Sequence, residues 1–213
     1  MASTFPETAI STERLLLRPF EEEDVPGLVE MMNDELVRCW TAAPHPYGAH
    51  HARTWVHTAA AEDRARGRGI AFAVTENLTQ RMVGVIHLQR TDWRLRTTEA
   101  AFVTAPWARG EGYAPEALLG VAQWLFEDQR FERLELRTAA GNTAAQQVAQ
   151  KAGCISEGVL RSAWIVRGAE PGSGSDDETR TDLILWSLLP EDMELPGGRA
   201  ADGLADDRYA SWA

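Results

Sequence analysis

The segment Ala105–Ala117 (APWARGEGYAPEA) carries an apolar strand through a loop with two glycines directly into an amphipathic helix, and few folds accommodate that junction. The first backbone N–H groups of a helix have no partner within it, so at such a junction they converge on one point and make a seat for phosphate or pyrophosphate. Gly110 and Gly112 let an anion approach the backbone with no Cβ in the way. Pro115 costs no hydrogen bond in the first turn, where its missing N–H would be unpaired anyway. A dinucleotide fingerprint would need Gly where Pro115 stands, and no GK[ST] follows to make a nucleoside-triphosphate loop. Taken alone, the loop also reads as a helix cap whose glycines serve packing.

Around this junction, strands and helices alternate. Arg14–Arg18 (RLLLR), 69–74, 82–88, 98–104, 134–137, 159–166 and 181–188 have the apolar character of strands. Helical spacing predicts helices over 24–32, 49–66, 114–126 and 142–152, the last closed by Gly153. The expected architecture is α+β, a mixed α/β sandwich with helices on the sheet faces. Glu170–Glu178 (EPGSGSDDE) reads as a solvated loop between the last two strands, and 190–213 as a C-terminal tail behind a single domain over 1–189.

Charge narrows the partners. The chain of 213 residues has a formal net charge of −11, which disfavours nucleic acid and anionic lipid and suits a cationic partner such as an amine. Cys39 and Cys154 are too few and too far apart for a disulfide framework or a metal site. No apolar run approaches the roughly 18 residues of a membrane span, and Met1–Ala9 lacks the basic start and apolar stretch of a secretory signal. The expected location is cytoplasmic, with no membrane partner.

Arg109-x-x-Gly112-x-Ala114 matches [Q/R]-x-x-G-x-[G/A], and the chain resembles the GNAT acetyltransferases, whose acyl-CoA pyrophosphate loop carries that pattern. Thr12–Arg18 looks like the opening strand of the RimJ/RimL-like branch, and Glu99–Pro106 with Arg109–Ala117 is similar to its fourth strand and following helix. Gly141–Ala145 through Lys151-Ala152-Gly153 and Glu157-Gly158 resembles its Asn-helix-Gly-Glu-Gly signature, and Asp182–Leu189 its last strand. The resemblance implies the GNAT fold: a central, mostly antiparallel seven-stranded sheet with helices on both faces.

It also implies an acyl-CoA-dependent N-acyltransferase. Acetyl would pass from acetyl-CoA, or another short acyl group from its CoA thioester, to a primary amine by direct attack in a ternary complex. A protein or peptide N-terminal α-amine comes first as acceptor. The alternatives are a small-molecule amine of the aminoglycoside type and a CoA-binding regulatory module without turnover. By this resemblance, backbone amides of Arg109, Gly110, Glu111, Gly112, Tyr113 and Ala114 hold the pyrophosphate. Asn142 contacts the pantetheine arm, and Phe102, Val103 and Thr104 supply backbone groups beside the thioester. Glu99 stands where the branch carries a Glu and is the expected proton acceptor. Family members are often homodimers, and a homodimer is an expected partner here.

Two departures from the pattern bear on chemistry. Where many relatives carry a Tyr that protonates the leaving thiolate, the matching position is Ala149, and a branch Ser is replaced by Ala145. A thiol with a pKa of about 8.5 leaves tolerably as the anion, so no general acid is required. Trp40 and Tyr47 in CWTAAPHPY are candidates to line the acceptor pocket, with core packing as the alternative. His45, His50, His51 and His57 lack a tight carboxylate partner and are expected to be a helix face rather than a metal site. Cys154 is expected to be a small buried hydrophobe.

Overall fold

Eight strands form one sheet in the order β1-β2-β3-β4-β5-β6-β8-β7, and every neighbouring pair is antiparallel except β5 and β6. The strands are β1 (Ile10–Ser11), β2 (Leu15–Arg18), β3 (Ile70–Glu76), β4 (Met82–Asp92), β5 (Thr97–Thr104), β6 (Arg133–Ala139), β7 (Ile155–Arg167) and β8 (Glu178–Leu188). The helices are α1 (Val25–Met32), α2 (Glu35–Trp40), α3 (Ala49–Thr54), α4 (Ala60–Ala65), α5 (Tyr113–Glu127), α6 (Thr143–Lys151) and α7 (Pro190–Met193). This computed structural model describes residues 3–168 and 177–193. Most of the loop expected at Glu170–Glu178, and the tail beyond residue 193, lie outside the described residues.

The sheet has one strand more than the seven expected, because Ile10–Ser11 adds a short edge to β2. The helix expected over 49–66 is interrupted by a single π turn, Trp55–Ala59, between α3 and α4. Two helices escape the apolar-period reading. α2 is only six residues long, and α7 begins the stretch read as tail. Neither offers two turns of periodicity to detect.

Strand alternation assigns the helices to faces. Phe72 of β3 pairs with Ile86 and, through it, with Phe102, and its ring meets Trp124 of α5. That face therefore carries α5, which buries Ala117, Leu118, Val121, Ala122 and Leu125 in the core. The opposite face carries Ala71, His87 and Ala101, and there Trp55 of the π turn meets His87 edge-on, with ring centroids 6.0 Å apart. At the end of the sheet where β4 turns into β5, Phe5, Trp93 and Phe131 cluster, and Phe5 also meets Trp124.

Candidate active-site cleft

The parallel pair β5–β6 is bonded only where it begins, at Thr97–Arg133, Thr98–Leu134 and Glu99–Glu135. Beyond Glu99 the strands part. β5 continues along β4 to Thr104, while β6 continues along β8 to Ala139, and a wedge opens between them. Both strands lead into helices at the wide end. β5 passes through a 3-10 turn, Pro106–Ala108, and the loop Arg109–Gly112 into α5, and β6 passes through Gly141 and Asn142 into α6.

The loop takes the shape its glycines allow. Gly110 and Gly112 have φ of 86° and 79°, in the left-handed region that side chains resist. A Cβ at Gly110 would meet nothing within 4 Å, so the space above the loop is open, and Gly112 is the residue that caps α5. Open space over unpaired helix N–H groups is where an anion fits.

A staple from the β1–β2 turn fixes this loop. Thr12 Oγ1 and the Arg14 N–H donate to Glu116 Oε1 at 2.6 and 2.8 Å, and Arg14 Nε donates to Glu116 Oε2 at 2.6 Å. Arg14 Nη1 also donates to the Glu111 carbonyl at 2.9 Å, with the guanidinium over the Tyr113 ring. Burial works to raise the Glu116 carboxyl, but the hydrogen bonds from Thr12 and Arg14 outweigh it and hold the group below its ordinary range. A carboxyl lowered by folding adds stability above its unfolded value, and that stability is lost as pH falls through the folded value. Glu116→Ala should therefore destabilise the protein at neutral pH by about 1–3 kcal/mol, with the deficit shrinking toward pH 3. Denaturant unfolding of both proteins across that range checks this, and a deficit independent of pH would refute the assignment.

The Arg109 side chain turns away from the loop's anion seat. It pairs with Asp34, whose Oδ1 also accepts the Val37 N–H at 3.1 Å and so caps α2. Burial alone would raise the Asp34 carboxyl, but Arg109 and the cap hydrogen bond hold it below its ordinary range. The ion pair fastens α2 to the loop, and α2 supplies one wall of the cleft with Leu36, Val37 and Trp40. Trp40 packs with Ala139 and Leu183 and lies over Gly141, where a Cβ would come within 3.2 Å of its ring.

The resulting cleft has a volume of about 280 Å³. Phe102, Val103, Thr104, Arg109, Gly110, Gly112, Tyr113, Ala114 and Asn142 all line it, together with Trp40. Glu111 is exposed on the loop and does not line it. Asn142 caps α6 by accepting the Ala145 N–H at 3.0 Å, and its amide NH2 has no bond to another described residue.

Glu99 lies behind the cleft, at the closed end of the wedge, on the face that carries His87 and Trp55. It is buried with a neighbour on every side. Gln89 Nε2 donates to Oε1 at 2.9 Å, while Arg90 Nη1 and Arg137 Nε stand 3.4 and 3.1 Å from Oε2. Arg137 Nε is close but misaligned, and it has no hydrogen-bond partner among the described residues. The pairing continues across the sheet through Glu135 and Arg133 to Glu157, which also accepts from Ser187.

Other expected residues fall elsewhere. Tyr47 is buried in the core, where its backbone and the Asn33 side chain exchange hydrogen bonds, and it does not line the cleft. Ala149 is wholly buried, so the cleft-facing residues of α6 are Ala144, Ala145, Gln147, Val148 and Lys151. A hydroxyl at position 149 would point into the core. His57 pairs with Glu22 at 3.0 Å and His50 meets His51, and the described residues contain no metal-ligand group. Cys154 is buried, and burial pushes its thiol up to about 12. His87 is a residue that sequence reasoning missed: its Nε2 is buried without a partner, and burial holds the ring below its ordinary pKa. Its placement depends on strand pairing, which leaves no mark at a single position.

A split parallel pair whose mouth meets a left-handed glycine loop and a free helix N-terminus makes a cleft that can seat an anionic ligand. The match to a family model agrees. The acetyltransferase (GNAT) domain model covers residues 14–155, and the chain belongs to the GNAT acetyltransferase family. It is 26% identical over 186 residues to YokL, an SPbeta prophage-derived uncharacterized N-acetyltransferase of Bacillus subtilis (strain 168), spanning 87% of this chain and 96% of that one. Its fold is similar to RimJ of Mycobacterium smegmatis in complex with CoA-disulfide, with TM-score 0.72, 18% identity and 89% and 90% of the two chains covered. It is also similar to spermidine N-acetyltransferase from Vibrio cholerae in complex with CoA and spermine, with TM-score 0.68, 17% identity and 85% and 98% covered. No helix among the described residues is long and apolar enough to cross a membrane.

Proposed function

We propose that this enzyme transfers an acetyl group from acetyl-CoA to a primary amine, and that its first acceptor class is the N-terminal α-amine of a protein or peptide. The observation that carries the reading is the strand wedge: its open end holds the cleft and the anion seat at α5, and its closed end holds a buried carboxylate, Glu99, behind the cleft. Bound there, the cofactor would supply an activated thioester. The N–H groups of the loop and first turn, Arg109–Ala114, would hold the pyrophosphate. Backbone groups of Phe102, Val103 and Thr104, unpaired on the β6 side, would hold the pantetheine arm and the acyl oxygen, joined by the free amide of Asn142.

The acceptor would enter from the opposite face, past Trp40, toward Glu99. An ammonium cannot attack, so a proton must leave the amine first, and Glu99 would receive it through water. Tyr47, being in the core, would support that wall rather than touch the acceptor.

Release of free CoA thiol tests this. Acetyl-CoA would be offered with peptides differing at the first residue, with the same peptides blocked at the α-amine, and with spermidine. Thiol release with free peptides, abolished by blocking, is the expected result. Turnover with spermidine alone would move the acceptor class to small polyamines, and acetyl-CoA binding without thiol release on any amine would overturn the reading.

A further inference from the structure

Among the described residues, two buried side-chain nitrogens have no hydrogen-bond partner, His87 Nε2 and Arg137 Nε. Both lie on the sheet face that carries Glu99, one on each strand beside β5. His87 pairs with Ala101, two residues along β5 from Glu99, and Arg137 stands two residues along β6 from Glu135, the register partner of Glu99. The Arg137 nitrogen has a carboxylate oxygen of Glu99 3.1 Å away. His87 Nε2 has no such neighbour: the residues paired with His87 across the sheet, Ala71 and Ala101, are both alanine, and Trp55 meets the imidazole edge-on. A buried nitrogen left unpaired costs about 1–3 kcal/mol, so its place calls for a reason.

The surroundings of the ring supply one. Ala101 belongs to an interior strand of the sheet, yet it is exposed. The face is therefore open to water just past Glu99, where β5 leaves β6. Direct neighbours on antiparallel strands stand about 5 Å apart and diagonal ones about 7–8 Å. His87 is the direct neighbour of the opening at Ala101 and the diagonal neighbour of Glu99, a distance that two side chains and one bridging water span. The wall above the ring is the π turn, Trp55–Ala59, a helix irregularity that recurs at functional sites. Burial holds the imidazole below its ordinary pKa, against the opposing charge of Asp63, so the ring is neutral at pH 7 and has one donor and one acceptor nitrogen.

We propose that His87 Nε2 holds the water through which Glu99 takes the proton of the acceptor amine, which makes His87 a positioning residue for the transfer. This rests on the amine-acetylation reading above. The ammonium gives a proton to the water, the water gives one of its own to a Glu99 oxygen, and the amine is left neutral for attack. The water is restored and His87 keeps its charge throughout. Either tautomer serves, since an Nε2–H donates to the water's second lone pair and a bare Nε2 accepts from its second O–H.

Thiol release with a free-α-amine peptide, measured beside titration calorimetry with acetyl-CoA, tests it. His87→Phe keeps a ring against Trp55 but has no polar atom, and it should lower kcat about ten- to a hundredfold with acetyl-CoA affinity unchanged. His87→Gln, whose amide reaches about as far as Nε2, should recover most of that loss. If the Phe variant does not fold, Met, which follows the shape of Gln without its hydrogen bonds, makes the same comparison. In a Glu99→Gln background His87→Phe should cost far less than in the wild type, because the water then leads to no base. Wild-type kcat in the Phe or Met variant would overturn the proposal. Equal losses in the Gln variant and its apolar counterpart would also overturn it, because they would mark His87 as a packing residue under Trp55. Absence of thiol release from the wild type with every amine would instead sink the amine-acetylation reading on which the proposal stands.

Discussion

Gly112→Trp should abolish measurable binding of acetyl-CoA, a loss of at least about a hundredfold, while leaving the protein folded. Two costs combine at this position. With φ of 79°, any side chain carries a backbone penalty of about 1–2 kcal/mol. That part is shared with Gly112→Ala, which should weaken binding by only about tenfold. The indole adds a second cost by filling the space above the first turn of α5, where the N–H groups would otherwise meet the pyrophosphate. The nearest atom to a Cβ at Gly112 is Arg14 Nη2 at 3.5 Å, so the added ring meets a side chain and solvent rather than the core. Titration calorimetry and thermal unfolding together separate the costs. A folded Gly112→Trp protein that binds acetyl-CoA normally would remove the loop from the cofactor site.

The loop was legible in the sequence because its constraint is local. Gly110, Gly112 and Pro115 each answer a backbone requirement of the residue that carries it, and the amphipathic stripe of α5 declares where the helix begins. The sheet was legible for the same reason, strand by strand. What could not be read was which residues share a face across strands. The sequence puts Glu99 near the start of the central strand, but its enclosure by Gln89, Arg90 and Arg137 depends on the registers of β4, β5 and β6 together. Position 149 is matched to the relatives' Tyr by sequence pattern alone, and in the fold α6 carries Val148 to the cleft and Ala149 to the core. Tyr47 shares its chain segment with Trp40, but a short helix and a turn send them to different surroundings, and α2 has too few residues to announce itself.

Glu99→Gln should lower turnover by about a hundredfold or more, with little change in the affinity for acetyl-CoA. The amide keeps the shape of the carboxylate but cannot accept a proton. It also removes a negative charge from between Arg90 and Arg137, so a purely structural role must be told apart from proton transfer. Affinity and pH make the distinction. Glu99 does not line the cofactor cleft, so a loss confined to kcat locates the defect on the acceptor side. An α-amine loses its own proton near pH 7.7–8.0, at roughly the upper end of neutral conditions. Raising the pH through that range should therefore restore part of the variant's turnover, because solvent then does what the carboxylate did. A misplaced strand would not be mended that way. Turnover equal to wild type at every pH would exclude Glu99 as the proton acceptor and leave His87, on the same sheet face and with no hydrogen-bond partner for its Nε2 among the described residues, as the next group to replace.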